Sequence, residues 1–291
     1  METNLDGHEA AWYGDQESAL GAVPRAEVLW LNTWRSPEIE ALLAAGEQLR
    51  WVFTHSAGVE SYPLERFRER GIPLTNGAGL HALPIAEYVV LGMLAAAKGF
   101  PELVRAQDRR TWLEKPPGFF ELAGSKALVL GFGGIGQAIG ERLTGLQVEV
   151  TGVRRRDGDS WRERLGDFDW VILALPVTRE SRHIIGAPEL RRMRPTAWIV
   201  NIARGPLIDQ PALIEALQAK RIGGAYLDVT DPEPLPAESP LWTLPNVIVT
   251  PHSSWASRRS DERAAALFLE NLGRLAAGAE MRNLVDLSAG Y

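Results

Sequence analysis

The stretch that most restricts the fold is KALVLGFGGIGQAIGERL, residues 126–143. An apolar run stops at a cluster of glycines, and a helical pattern begins inside the cluster. Gly131, Gly133 and Gly136 stand in G-x-G-x-x-G spacing, with Gly134 and Ile135 between the last two. Such glycines also serve plain strand-to-helix packing, so the spacing alone is weak. Behind a strand and ahead of a helix it has a mechanism: a tight turn, a backbone close to a pyrophosphate, and helix N-terminal amides to receive it. The expectation is a dinucleotide-binding turn made by Gly131, Gly133, Gly134, Ile135 and Gly136.

Further apolar runs follow: VEVTGV, DWVILAL, AWIVNIA, GAYLDV and NVIVTPH. They are short, rich in Val, Ile and Leu, and apolar on both alternating faces, as strands covered on both sides are. PELRRM and DQPALIEALQAK supply helices between them, the second with Asp209 as cap and Pro211 in the first turn. The pattern predicts a doubly wound parallel sheet of the Rossmann type. A smaller α/β unit precedes it, with AEVLWL, LRWVFTH and IPLTN as strands and SPEIEALLAA and PLERFRER as helices. The helical stretch 85–112 breaks near Gly99 and Pro101, and 257–278 reads as one amphipathic helix, after which NLVD can return to the first unit. The expected division is 1–93 with 268–291 as one domain and 94–267 as the nucleotide domain.

VEVTGV runs into Arg154, Arg155 and Arg156 and turns at Gly158, with Asp157 and Asp159 expected to point outward. Three arginines ordinarily mark a solvated turn. In a dinucleotide fold, however, the second strand ends in an acid that binds the ribose hydroxyls, and Arg154 occupies that place. An arginine reverses the preference, because it clamps a 2′-phosphate with charge-assisted donors, and Arg155 adds a second fork. NADP(H) is therefore expected to be preferred, with NAD(H) still usable.

A net charge of −6 lacks the basic face that nucleic acid requires, and no apolar stretch reaches the length of a membrane span. The acidic, polar start lacks a signal-peptide pattern, and the reading is cytoplasmic. Cysteine is absent, and the five histidines show no metal-ligand spacing. Arg204, Asp228, Glu233 and His252 each follow a strand, where ligands of a doubly wound sheet bind. Singly they read as an edge cation, a loop acid or a capped histidine. Together, downstream of the glycine turn, they supply the proton donor and anion clamp that hydride transfer to a ketone requires.

GFGGIG, LPVTRES, MRPTAWIVNIARGPLID, GAYLDVTDPEPLP and VTPHSSW, with SAGVE and TNGAGLHALPIAEYVV upstream, resemble the D-isomer-specific 2-hydroxyacid dehydrogenases, and glyoxylate/hydroxypyruvate reductases among them. The resemblance implies a flavodoxin-like substrate domain. It makes Arg204 the ligand of the 2-oxo acid, His252 the proton donor and Glu233 its partner. Leu175, Pro176, Ala203 and Asp228 would line the nicotinamide, Ala57 and Gly58 would receive the substrate carboxylate, and Gly77 lies nearby. Trp255 follows His252 where small residues are commoner and is expected to narrow the substrate site. The N-terminal 21 residues lack the family's usual opening strand, leaving it missing or degenerate. The expected activity is reduction of a small 2-oxo acid to the D-2-hydroxy acid. The competing class is a nucleotide-sensing corepressor of the same fold. Residues 94–120, with Trp112, Phe119 and Phe120 beside charges, are expected to contribute to a homodimer, the plainer reading being a connector.

Overall fold

The computed structural model describes residues 2–5, 8–33 and 35–288. In chain order the elements are β1 (Glu2–Leu5), β2 (His8–Ala11), α1 (Gln16–Ala22), β3 (Val28–Leu31), α2 (Ser36–Ala45), β4 (Trp51–Thr54), α3 (Leu64–Arg70), β5 (Leu74–Thr75), α4 (Ala82–Ala97), α5 (Phe100–Asp108), β6 (Lys126–Leu130) and α6 (Gly134–Gly145). Then come β7 (Glu149–Val153), β8 (Trp170–Leu173), α7 (Ala187–Arg192), β9 (Trp198–Asn201), α8 (Gln210–Gln218), β10 (Gly224–Leu227), β11 (Val247–Val249) and α9 (Arg258–Ala276). They pack as two compact units, Met1–Leu80 with Arg258–Tyr291, and His81–Ser257.

The larger unit is a six-stranded parallel sheet in the order β11-β10-β9-β8-β6-β7. Alternation along the strands explains why both faces are covered. Leu128, Leu130, Val171, Leu173, Ile199 and Leu227 enter one core, while Ala127, Val129, Ile172, Val200 and Tyr226 enter the other. Strand order reverses between β6 and β8, so the glycine turn after β6 lies at the switch point. Between β7 and β8 the described residues form only single 3-10 turns, leaving β7 at the sheet edge.

This unit begins at His81, not near residue 94 as the sequence reading has it. Ile85, Ala86, Val89 and Met93 of α4 are buried in the second core, and Gly92 lies so close to the Tyr226 ring that no side chain fits. At the other boundary, all of α9 belongs to the smaller unit. Its Ala264 and Leu267 pack with Trp51 and Phe53, and Phe268 stacks on Trp51 at 4.9 Å.

The smaller unit holds a three-stranded parallel sheet, β3-β4-β5. Its sheet opens at β3. The N-terminal residues instead form a separate antiparallel pair, β1 with β2. After α9 the chain returns to this sheet, with Leu284 bridging antiparallel to Thr75. Among the described residues, no single helix is long and apolar enough to cross a membrane.

Candidate active site

The glycine turn has the shape its spacing predicts. Gly131 adopts a left-handed φ of 93°, and a Cβ there would overlap the Ala174 carbonyl. A Cβ on Gly136 would overlap the Gly131 carbonyl. Gly133 and Gly134, by contrast, face open space with nothing within 4 Å. Two glycines thus permit the turn, and two leave the backbone bare at the start of α6, whose first amides have no side-chain cap. A pyrophosphate fits such a cradle, because exposed amides and the helix dipole both favour an anion. Ile135 packs at the second core and holds the first turn of α6 to the sheet.

Arg154 leaves β7 directly beside this turn, its Nε donating to the Phe132 carbonyl at 2.9 Å. That bond directs the guanidinium onto the glycine turn. Arg155 lies 3.8 Å from Glu180, whose carboxylate accepts a bond from Thr178 Oγ1 at 2.9 Å. The Thr178 bond and the Arg155 charge help to hold Glu180 below the usual carboxylate range. Asp157 is exposed as expected, yet its carboxylate also accepts the Arg154 amide at 2.7 Å and closes the turn. Asp159 remains exposed, 3.6 Å from Arg162.

Three loops at the carboxyl ends of β9, β10 and β11 carry the other polar residues. Asn201, at the end of β9, donates to the Arg204 carbonyl at 2.9 Å and accepts the Ala203 amide at 3.1 Å, folding that loop back on itself. Arg204 Nη1 donates to the Ala203 carbonyl at 2.8 Å. Gly205 abuts Thr230 so closely that a Cβ would overlap its carbonyl. The β10 loop is fastened to α8 by Gln210, which donates to the Asp231 carbonyl at 2.8 Å and accepts the Asp231 amide at 3.0 Å. Within that loop Glu233 Oε1 accepts the Thr230 amide at 3.1 Å, turning Oε2 toward the third loop.

There Glu233 Oε2 meets His252 Nδ1 at 2.9 Å, both side chains partly open to solvent. Burial pushes the Glu233 carboxyl up. The bond to His252, the His252 charge, the Thr230 amide and the Arg204 charge outweigh it and hold the group below the usual carboxylate range. His252 and Arg204 therefore both favour the charged form of Glu233, and with Nδ1 occupied, Nε2 is the imidazole atom left for another partner.

Asp228 is 1% exposed, and its carboxylate is taken up by the histidine loop. It accepts from Thr250 Oγ1 at 2.7 Å and from the Ser253 and Ser254 amides at 3.0 Å each. Its carbonyl accepts the His252 amide at 2.8 Å. Trp255 Nε1 donates to the His252 carbonyl at 2.9 Å, and its ring meets His81 edge-on at 6.1 Å. Leu175 packs at the first core, and Ser181 Oγ donates to the Pro176 carbonyl at 2.8 Å. Ala57, Gly58 and Gly77 lie in the smaller unit, on the loops after β4 and β5. Sequence reading passed over Asn201, Gln210, Thr230 and Thr250. Their type gives no signal, since each acts through a loop carbonyl, amide or buried carboxylate.

Residues 90–254 match the family model described as D-isomer specific 2-hydroxyacid dehydrogenase, NAD binding domain. The chain belongs to that family. Glyoxylate/hydroxypyruvate reductase B of Yersinia pestis (strain Pestoides F) is 31% identical to it, over 94% of the chain and 87% of the relative. D-3-phosphoglycerate dehydrogenase of Methanocaldococcus jannaschii is also 31% identical over 94% of the chain, which spans only 54% of that protein's length. The crystal structure of a D-isomer specific 2-hydroxyacid dehydrogenase family protein from Aeromonas salmonicida subsp. salmonicida superposes with a TM-score of 0.84 at 30% identity, covering 94% of this chain and 90% of that one. The family's doubly wound nucleotide fold is thus this chain's fold, and the nicotinamide-binding class of the larger unit follows.

Proposed function

We propose that the protein is a cytoplasmic, NADP(H)-preferring reductase of small 2-oxo acids, in the glyoxylate, hydroxypyruvate or pyruvate range, producing D-2-hydroxy acids. The observation that carries this reading is the His252 Nδ1 to Glu233 Oε2 contact at 2.9 Å, with the Arg204 charge beside it. The bound nicotinamide supplies the hydride for the substrate's C2. Arg204 orients the acid and polarises its oxo group through its planar fork of donors. His252 gives the Nε2 proton to the oxo oxygen, and Glu233 keeps the imidazole oriented while balancing its charge. The Ala57 and Gly58 amides receive the carboxylate, with Gly77 alongside, and Trp255 limits the bulk of the substrate side chain. The Gly131–Gly136 turn receives the pyrophosphate; Leu175, Pro176, Ala203 and Asp228 border the nicotinamide end.

Cofactor preference rests on Arg154, tethered to the Phe132 carbonyl at the place where an acid would exclude a 2′-phosphate. The family resemblance and an aromatic arm support a homodimer. Trp112 is 93% exposed and Phe119 78% exposed, while the Phe120 amide fixes the arm to the Ala97 carbonyl at 3.2 Å. The deciding experiment is oxidation of NADPH by the purified protein with glyoxylate, hydroxypyruvate and pyruvate. Turnover with at least one supports the reading; turnover with none returns the chain to the nucleotide-sensing class.

A further inference from the structure

Gly58, Ala57 and Gly77 do not hold their own positions. The Gly77 amide donates to the Ser56 carbonyl at 2.9 Å, and a Cβ on Gly77 would overlap the His55 carbonyl. Asn76, 6% exposed, joins the two loops: its Nδ2 donates to the Ala57 carbonyl at 2.8 Å and its Oδ1 accepts the Ala78 amide at 3.1 Å. The Ala57 and Gly58 amides themselves donate to no acceptor among the described residues, and successive loop amides of this kind suit an anion.

This loop pair is gripped by a residue about two hundred positions away. The Asn283 carbonyl accepts the Asn76 amide at 3.0 Å. Its Nδ2 donates to the Asn76 carbonyl at 3.1 Å and to the Ala78 carbonyl at 2.8 Å. Three bonds therefore bracket Gly77. Asn283 is itself anchored on both sides. Before it, the Arg282 amide donates to Asn271 Oδ1 at 2.8 Å and Asn271 Nδ2 donates to the Arg282 carbonyl at 2.9 Å; Asn271 is fully buried on α9. After it, the Val285 amide donates to the Leu74 carbonyl at 2.8 Å. A left-handed φ of 56°, which Asn tolerates better than most residues, lets the side chain double back over the loop.

We infer that Asn283 is a positioning residue for the substrate's carboxylate: it sets the Asn76–Ala78 turn and, through Asn76, the Ala57 and Gly58 amides. The inference rests on the 2-oxo acid reductase reading above. Asn283→Gly tests it, because glycine accepts the left-handed backbone and keeps the carbonyl bond while deleting both side-chain donations. The expected result is a rise of about tenfold in KM for glyoxylate, the equivalent of one to two lost hydrogen bonds. The variant's kcat and NADPH affinity, the latter followed by fluorescence, should stay near wild type. Asn283→Asp, which turns a carboxylate toward two carbonyls, should raise KM further.

A residue that only stabilised the fold would instead lower the melting temperature and leave KM alone, and that outcome overturns the inference. A second measurement needs no variant. In the wild type with NADPH, oxamate should slow hydrogen exchange at the Asn76–Ala78 amides and at Val285 together; protection at Ala57 and Gly58 without any change at Val285 overturns it as well. If the wild type reduces none of the acids, the parent reading falls and takes this one with it. An active wild type whose KM is unchanged in Asn283→Gly rejects the positioning role alone.

Discussion

His252 holds a left-handed backbone conformation, φ 51°, which disfavours a residue with a Cβ by roughly 1–2 kcal/mol. It persists because Asp228 accepts the residue's own amide and those of the two that follow. The imidazole is thus delivered at a fixed angle to Glu233. His252→Ala should lower the reduction rate by about 10²–10⁴-fold, the usual contribution of general acid catalysis, while NADPH titration shows binding retained. Glu233 carries the pH argument. Because its folded pKa is depressed, the charge that orients His252 is fully present above the ordinary carboxylate value of about 4.3 and is lost as pH falls through the lowered value. The acid limb of kcat/KM should therefore lie below about pH 4.3 in the wild type, and Glu233→Gln, which has no charge to lose, should abolish that limb and reduce the rate about tenfold or more. A wild-type acid limb above pH 5, or one that persists in the variant, counts against the assignment. At the other end of the site, Arg154→Asp should move kcat/KM from NADPH toward NADH by about ten- to hundredfold, one or two charge-assisted bonds. Equal efficiency of the two cofactors in the wild type would return the three arginines to an ordinary turn.

Elements were legible in proportion to how regular their physics is. Apolar runs between helical patterns marked β6 to β11, and SPEIEALLAA corresponds to α2 from first residue to last. The glycine turn could be read as geometry because Gly131 and Gly136 answer steric demands while Gly133 and Gly134 leave the backbone open. The domain boundary could not: α4 is apolar along much of its length, and which core it joins depends on tertiary packing such as the fit of Gly92 against Tyr226. The return of Asp157 onto the Arg154 amide was hidden for a similar reason, since a carboxylate beside arginines can cap a turn as readily as face water. Loop architecture was the least visible part. Asp228 reads as one more acid beyond a strand, yet it is the anchor of the Thr250–Ser254 loop. Asp228→Asn retains one acceptor oxygen and sets an NH₂ against an amide it formerly received. Losing such a buried charge-assisted contact costs about 1.5–3 kcal/mol. That should lower the melting temperature by several degrees and depress kcat more than NADPH affinity. A variant with wild-type melting and wild-type kcat would show that the loop is held by other contacts.

Across the whole molecule, large apolar side chains remain uncovered on one stretch of the larger unit. Leu91 of α4, Phe100 and Leu103 of α5, and Trp112, Phe119 and Phe120 of the arm are all more than a third exposed. Patches of this kind mark association surfaces, and light scattering at micromolar concentration should report twice the chain mass of 32.0 kDa. Monomer mass, or a dimer undisturbed by Trp112→Ala with Phe119→Ser, would reject the arm as the contact. The two units also differ in how they are threaded. His81–Ser257 is one continuous segment, whereas the smaller unit joins Met1–Leu80 to Arg258–Tyr291. On the ribosome, where domains fold as units while the chain emerges, the nucleotide unit has all its strands as soon as Ser257 is out. The first eighty residues, though made earlier, must wait for Phe268 to stack on Trp51 and for Asn283 to reach Asn76. The nascent protein therefore passes through an interval in which the nucleotide unit has its whole sheet while the smaller unit still lacks α9 and the bridge from Leu284 to Thr75.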